Sequence, residues 1–413
     1  MSDVRPFRAV RPAPGMAEDV AALPYDVMTA EEARVVAGDN PLSFLHVDKA
    51  EIDLDPSLDP YDGRVYERAR ENFASLRDEG VLRKDARVHY YLYRLTMEGV
   101  AQTGVVACPS VDDCLADRIK KHELTRADKE ADRIRHVDVL DANTGPIFLT
   151  HRPNAPLAGI VSDWIDRHGP IFDFTRADGI RHEGWVIDDA DVCGRVSAAY
   201  RNIPTLYIAD GHHRCASAVK VALKRRAAQP GFTGEEEFNY FLAVVFPSDE
   251  LRILDYNRVV KDLGGRTPQV FLEALSREFE IEASDAPVGS KEKHVFGLFL
   301  DGRWYRMAVR PGVASSADPV DRLDVSILQQ RVFGPLLGIT DPRTDKRIDF
   351  IGGIRGLGEL ERRVRTDMAA AFSLCPTGVD DLMDIADAGK IMPPKSTWFE
   401  PKLLSGLFIH DLK

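Results

Sequence analysis

Residues 203–220 read IPTLYIADGHHRCASAVK, and the way this stretch divides decides the fold. Leu206, Tyr207, Ile208 and Ala209 make a short apolar run bounded by Pro204 and a glycine, which predicts a buried strand. From Cys215 to Leu223 no breaker interrupts Ala216, Ala218, Val219, Val221 and Ala222, which predicts a helix ending near Arg225 and Arg226. Asp210, Gly211, His212, His213 and Arg214 then occupy the turn where strand passes into helix. Such a turn is built for an anion. Unpaired backbone N–H groups and the positive end of the helix dipole point outward, and a glycine lets a phosphate approach the backbone closely. Arg214 adds a two-pronged donor, and Asp210 at the strand end is placed to hold Mg²⁺ or to orient a hydroxyl. His212 and His213, being adjacent, face different sides of a helix and lack the i, i+4 spacing of a helical zinc pair.

Upstream of this stretch, helical and strand patterns alternate. Leu157 to His168 is an amphipathic helix, Ile171 to Thr175 and Ile180 to Ile187 form a hairpin, and Asp189 to Tyr200 is a helix leading into the strand at Leu206. The fold class this implies is α+β, a mixed α/β core elaborated with hairpins and helices. Earlier still lies RIKKHELTRADKEADRIRHVDVLDANTGPIFLTH, residues 118–151, with charges of both signs interleaved. Most of these residues read as a solvated helix laced with i, i+4 pairs. Glu123 differs, because His122-Glu123 sits at a change of pattern just before Thr125; it is the candidate general base.

Downstream, Phe241 to Phe246 and Leu251 to Tyr256 are expected to pair as a hairpin. Residues 392–407, MPPKSTWFEPKLLSGL, form a proline-fixed loop in which Lys395, Ser396 and Thr397 suit an anionic ligand. The domain organisation expected is a catalytic core over 1–247 and a second α+β lobe over 248–413, with loop 392–407 returning to the site. Gly352, Gly353, Gly356 and Gly358 match neither GxGxxG nor GxxxxGK[ST] and read as a turn.

The chain has 413 residues, enough for two or three domains, and 44% of them are hydrophobic. A formal charge of -12 argues against a nucleic-acid partner while allowing a local positive pocket for a nucleotide. Without an apolar signal run in the first thirty residues, or 18 consecutive apolar residues anywhere, the expectation is a cytoplasmic protein with no membrane partner. Five cysteines with no CxxC pair speak against a structural zinc site or a disulfide framework, and Cys215 reads as a small packing residue.

The strings DGHHR, RIKKHELT, PYDV and MPPKSTWFEPK, taken together, resemble a bacterial and archaeal family known only as a domain of unknown function, over nearly the full length. Within DGHHRCASA the chain also resembles the phosphate-binding strand-turn-helix of the ParB and sulfiredoxin superfamily, at Gly211, His212, His213, Arg214 and Ala216 or Ala218. Members of that superfamily that phosphorylate free L-serine are similar in carrying an Asp-Gly-His-His-Arg string. That resemblance implies ATP or ADP with its phosphates over Gly211 to Arg214, touched by His212 and His213, with Mg²⁺ as cofactor. It also implies a carboxylate, here Glu123, taking the proton from the hydroxyl of a small acceptor, a hydroxy amino acid above all. Sulfiredoxin chemistry needs a cysteine before the histidine-arginine pair, where this chain has His212. A metal-dependent phosphoester hydrolase and a non-catalytic nucleotide-binding regulator remain open as other readings, and the oligomeric state is not legible.

Overall fold

A computed structural model describes residues 2–314 and 316–413. The chain folds as two compact units, one running to Leu251 and taking up Pro401–Lys413, the other made of Arg252–Glu400. Both are mixed α/β.

The first unit is built on a nine-stranded sheet. Its strands are β1 (Val4–Arg5), β2 (Tyr90–Met97), β3 (Val100–Pro109), β4 (Ile119–Lys120), β5 (Ile147–His151), β6 (Phe172–Thr175), β7 (Arg181–Ile187), β8 (Leu206–Asp210) and β9 (Ala243–Pro247). They lie side by side in the order β4, β8, β5, β9, β3, β2, β7, β6, with β1 beside β3. Strands β2 and β3 form a hairpin, turning at Glu98 and Gly99, both with positive φ. Strand β8 runs parallel to β4, pairing Leu206 with Ile119, and antiparallel to β5. Its register against β5 shifts between Ile208 and Asp210, a bulge that re-aims the last residue of the strand.

Four helices matter to the site: α1 (Gly63–Asp78), α2 (Val111–Leu115), α3 (Ala127–Leu140) and α4 (His212–Ala228). Helix α4 covers the sheet through Cys215, Ala218 and Ala222, which share one core with Leu149, Ile208 and Val245. These small residues let the helix lie close to the strands, as their run in the sequence implies. Helix α4 begins at His212, three residues before the expected start, so only Gly211 is left as the turn. Helix α3 is a larger departure. Its face toward α4 and α1 buries Glu130, Asp132, Arg133 and His136, so it is not the solvated helix that mixed charge suggests.

The final residues correct the expected boundary. Leu407, Phe408 and Ile409 are fully buried, each worth about 1.5–3 kcal/mol, and Ile409 joins Val10, Phe44 and Phe73 in a second core. Val10 and Ile409 exchange backbone hydrogen bonds, and His410–Asp411 pairs with Ala142–Asn143. Residues 401–413 therefore belong with the first unit rather than with a lobe beginning at 248.

The second unit carries a six-stranded antiparallel sheet made of Tyr256–Val260, Phe279–Ser284, Val295–Leu300, Arg303–Val309, Ile348–Gly352 and Ala370–Ser373. Since Tyr256–Val260 pairs with Ile348–Gly352 and Ala370–Ser373, the hairpin expected between Phe241 and Tyr256 does not form. Among the described residues no helix is long and apolar enough to cross a membrane.

Candidate active site

The site grows from the junction of β8 and α4. Gly211 holds φ +89°, the left-handed region that a side chain strains to adopt, and a Cβ there would lie 3.1 Å from the Arg214 guanidinium. As N-cap it has no side chain to close the helix, and the first intrahelical bond is Cys215 N–H to the Gly211 carbonyl. The N–H groups of the first turn therefore open outward with the helix dipole behind them.

Arg214 folds back over Gly211. It donates from Nη1 to the Pro146 carbonyl, while among the described residues its buried Nε has no partner. Asp210 takes the Gly211 N–H on Oδ1 at 2.7 Å and the Lys402 ammonium on Oδ2 at 2.8 Å. Burial works to raise its carboxyl, but Lys402 and Arg214 outweigh burial and hold it well below the usual carboxylate range. Each carboxylate oxygen thus accepts one hydrogen bond.

His212 turns inward. Its ring meets the His122 ring edge to face, centroids 4.6 Å apart, and its Nδ1 lies 3.9 Å from a Glu123 carboxylate oxygen. His122 and Glu123 reach this point because β4 pairs with β8 and ends two residues earlier. Burial pushes His122 down to about 4, and burial followed by the neighbouring His122 pushes His212 well below its ordinary value. Both rings are neutral at pH 7. Among the described residues neither nitrogen of His122 has a well-formed hydrogen bond, though the Ile208 backbone acts on its ring, and Nε2 of His212 has none either. One donor atom each from His122, Glu123 and His212 lie within 4.8 Å of one another, making this the set that can hold a metal. His212 is therefore directed at His122 and Glu123 rather than at phosphates over the turn.

His213 faces the other way, half-buried, with Asp26 and Glu130 among the charges that act on it. On that side a cavity of about 300 Å³ is lined by Tyr25, Asp26, Tyr61, Tyr66, Lys129 and Arg133 among others. A smaller pocket sharing Tyr25, Asp48, Arg133 and His136 extends it to Arg214 and Ser405. Arg133 is nearly buried. It pairs with Asp132 at 2.8 Å and stacks 3.9 Å over the Tyr25 ring, and Tyr66 donates to the other oxygen of Asp132 at 2.7 Å.

Of the expected site residues, Glu123, Asp210, Gly211, His212, His213 and Arg214 gather at this junction. Lys395, Ser396 and Thr397 belong to the second unit. There the Ser396 hydroxyl donates to the Pro393 carbonyl at 2.6 Å, and the Lys395 ammonium lies 5.7 Å from the Tyr256 ring centre. Sequence reading missed the roles of His122, Lys402 and Arg133. His122 was signalled only by standing beside Glu123, and Lys402 only by its place in the proline-fixed loop. Cys215 is packed as expected, its sulfur 3.5 Å from that of Cys114 on α2.

The chain belongs to the family described as "Protein of unknown function (DUF1015)", whose model matches residues 4–326. A search of curated proteins finds no match. Among solved structures it is similar to a free serine kinase variant in complex with ADP, at 12% identity and a TM-score of 0.39, over 75% of this chain and 92% of that one. It is similar also to a conserved hypothetical protein from Pyrococcus furiosus, at 14% identity and a TM-score of 0.35, over 73% and 94%. A third likeness is to C-terminally truncated SbnI from Staphylococcus aureus, at 10% identity and a TM-score of 0.37, over 72% and 85%.

Proposed function

We propose that this chain is a small-molecule kinase, moving a phosphoryl group from ATP or ADP, with Mg²⁺ travelling on the nucleotide, to the hydroxyl of free L-serine or a similar small hydroxy compound. The observation that carries this reading is the uncapped N-terminus of α4, with Arg214 folded over Gly211 and the Glu123 carboxylate close by. Phosphoryl transfer asks little covalent chemistry of a protein; it asks for positioning and for neutralised charge. The first-turn N–H groups, Arg214 and His213 supply donors for phosphate oxygens. Glu123, with a side chain 44% exposed, is accessible to an acceptor and takes its proton. Asp210, fixed by Lys402, orients the acceptor or holds the Mg²⁺ of the nucleotide.

Phosphorus NMR on the purified chain with Mg²⁺ and either ATP or ADP, with and without a pool of hydroxy amino acids and sugars, tests the proposal. A new phosphomonoester resonance that requires the pool is the expected result. Bound nucleotide that is never consumed would remove the kinase reading and leave a nucleotide-binding regulator. Inorganic phosphate released without any new ester would point to hydrolysis.

A further inference from the structure

We infer that His122, Glu123 and His212 form a binding site for one borderline divalent transition-metal ion of the zinc class, distinct from the Mg²⁺ that accompanies a nucleotide. Two imidazole nitrogens and a carboxylate oxygen, drawn from two segments 89 residues apart in sequence, stand within 4.8 Å of one another. Donor atoms on a tetrahedral zinc lie about 3.3 Å apart, so a modest inward turn of Glu123, the most exposed of the three, completes the set.

Two observations favour a cation over the other occupants of such a gap. Among the described residues His122, only 2% exposed, has no hydrogen bond at either ring nitrogen, and His212, 7% exposed, has none at Nε2. Buried polar groups left without partners are costly, and a metal ion would take up one nitrogen of each ring at once. Glu123 faces His212 at 3.9 Å, a carboxylate that welcomes a cation. Imidazole selects against Mg²⁺, which keeps to oxygen donors and water, and in favour of Zn²⁺ or Co²⁺. Three protein ligands leave a coordination position open to a substrate oxygen or water, and with the ion bound Glu123 would serve as its ligand in place of the free base of the kinase reading.

The test uses the full chain, stripped with a chelator and desalted, without nucleotide. Titration with Zn²⁺ by calorimetry, and with Co²⁺ followed by its visible absorption, is expected to end at one ion per chain, with Mg²⁺ giving no heat at the same concentrations. His122→Ala and Glu123→Gln should each weaken binding by more than the roughly 10–100-fold typical of changes outside the ligand shell. Glu123 is accessible enough that its substitution leaves folding intact, so a misfolded His122 variant does not blunt the test. His213→Gln, one residue away on the same turn, should bind as the wild type does. No stoichiometric uptake, equal binding of Mg²⁺, or equal loss in the His213 variant would overturn the inference. Because binding is read without nucleotide, its failure and that of the kinase reading are separate results.

Discussion

His122 and His182 stand near opposite ends of one sheet, equally hidden, and in different company. His122 follows β4 at one edge, and His182 lies in β7, one strand in from the other. They are 2% and 1% exposed, and burial pushes both down to about 4. His182 shares a 2.7 Å hydrogen bond with the Tyr93 hydroxyl and stacks on Phe174, rings 22° from parallel. His122 faces a second histidine and a carboxylate instead. Burial sets the proton affinity of both alike; the neighbours make one of them part of a core and the other part of a site.

The sharpest way to break this contrast is at Glu123. Glu123→Gln should lower turnover about 10²–10⁴-fold while nucleotide affinity, measured by calorimetry, stays within a small factor. Parallel loss of both would reduce Glu123 to a structural residue.

A pH series comes next. An unfolded histidine takes up its proton near pH 6.5, whereas His122 and His182 in the folded chain do so only near pH 4. Between those values the unfolded state binds more protons, so stability is fully present above pH 6.5 and is lost as pH falls toward 4. Each histidine contributes up to roughly 3 kcal/mol to that loss. Urea denaturation at pH 7, 5.5 and 4 should record it, and saturating Zn²⁺ should steepen it, because protons compete for the His122 site while His182 titrates as before.

Smaller effects follow on the turn itself. Lys402→Met leaves one Asp210 oxygen without its cation and should cost about 1–3 kcal/mol in denaturant unfolding, with Asp210→Asn in the same chain restoring part of it. Gly211→Ala forces a side chain into the left-handed region against Arg214 and should cost about 1–2 kcal/mol. An unchanged midpoint would mean that the turn relaxes freely and is no rigid cradle.

The turn was legible in the sequence because its signals are local: an apolar run, a glycine and a small-residue helix within eighteen positions. The contrast between the two histidines was not. His122 meets His212 through pairing of Ile119 with Leu206, and Lys402 meets Asp210 across 192 residues; neither separation leaves a periodic trace. Helix α3 misled for another reason. Alternating charges usually mark a wetted face, but here Asp132 and Arg133 satisfy each other and Tyr66 and Tyr25 complete the set, so the charges are buried in pairs. Chain order alone assigns residues 401–413 to the second lobe, although loop 392–407 is expected to return to the site. Ile409 packs into the core of Val10, Phe44 and Phe73, and Phe408 lies against Tyr91, Tyr93 and Phe172.

The most direct measurement sets wild-type and Glu123→Gln protein side by side in phosphorus NMR, each with Mg²⁺, nucleotide and the hydroxy-compound pool. The account predicts nucleotide resonances broadened by binding in both samples and a growing phosphomonoester signal in the wild type alone. An ester that grows equally in both, or in neither, would contradict it.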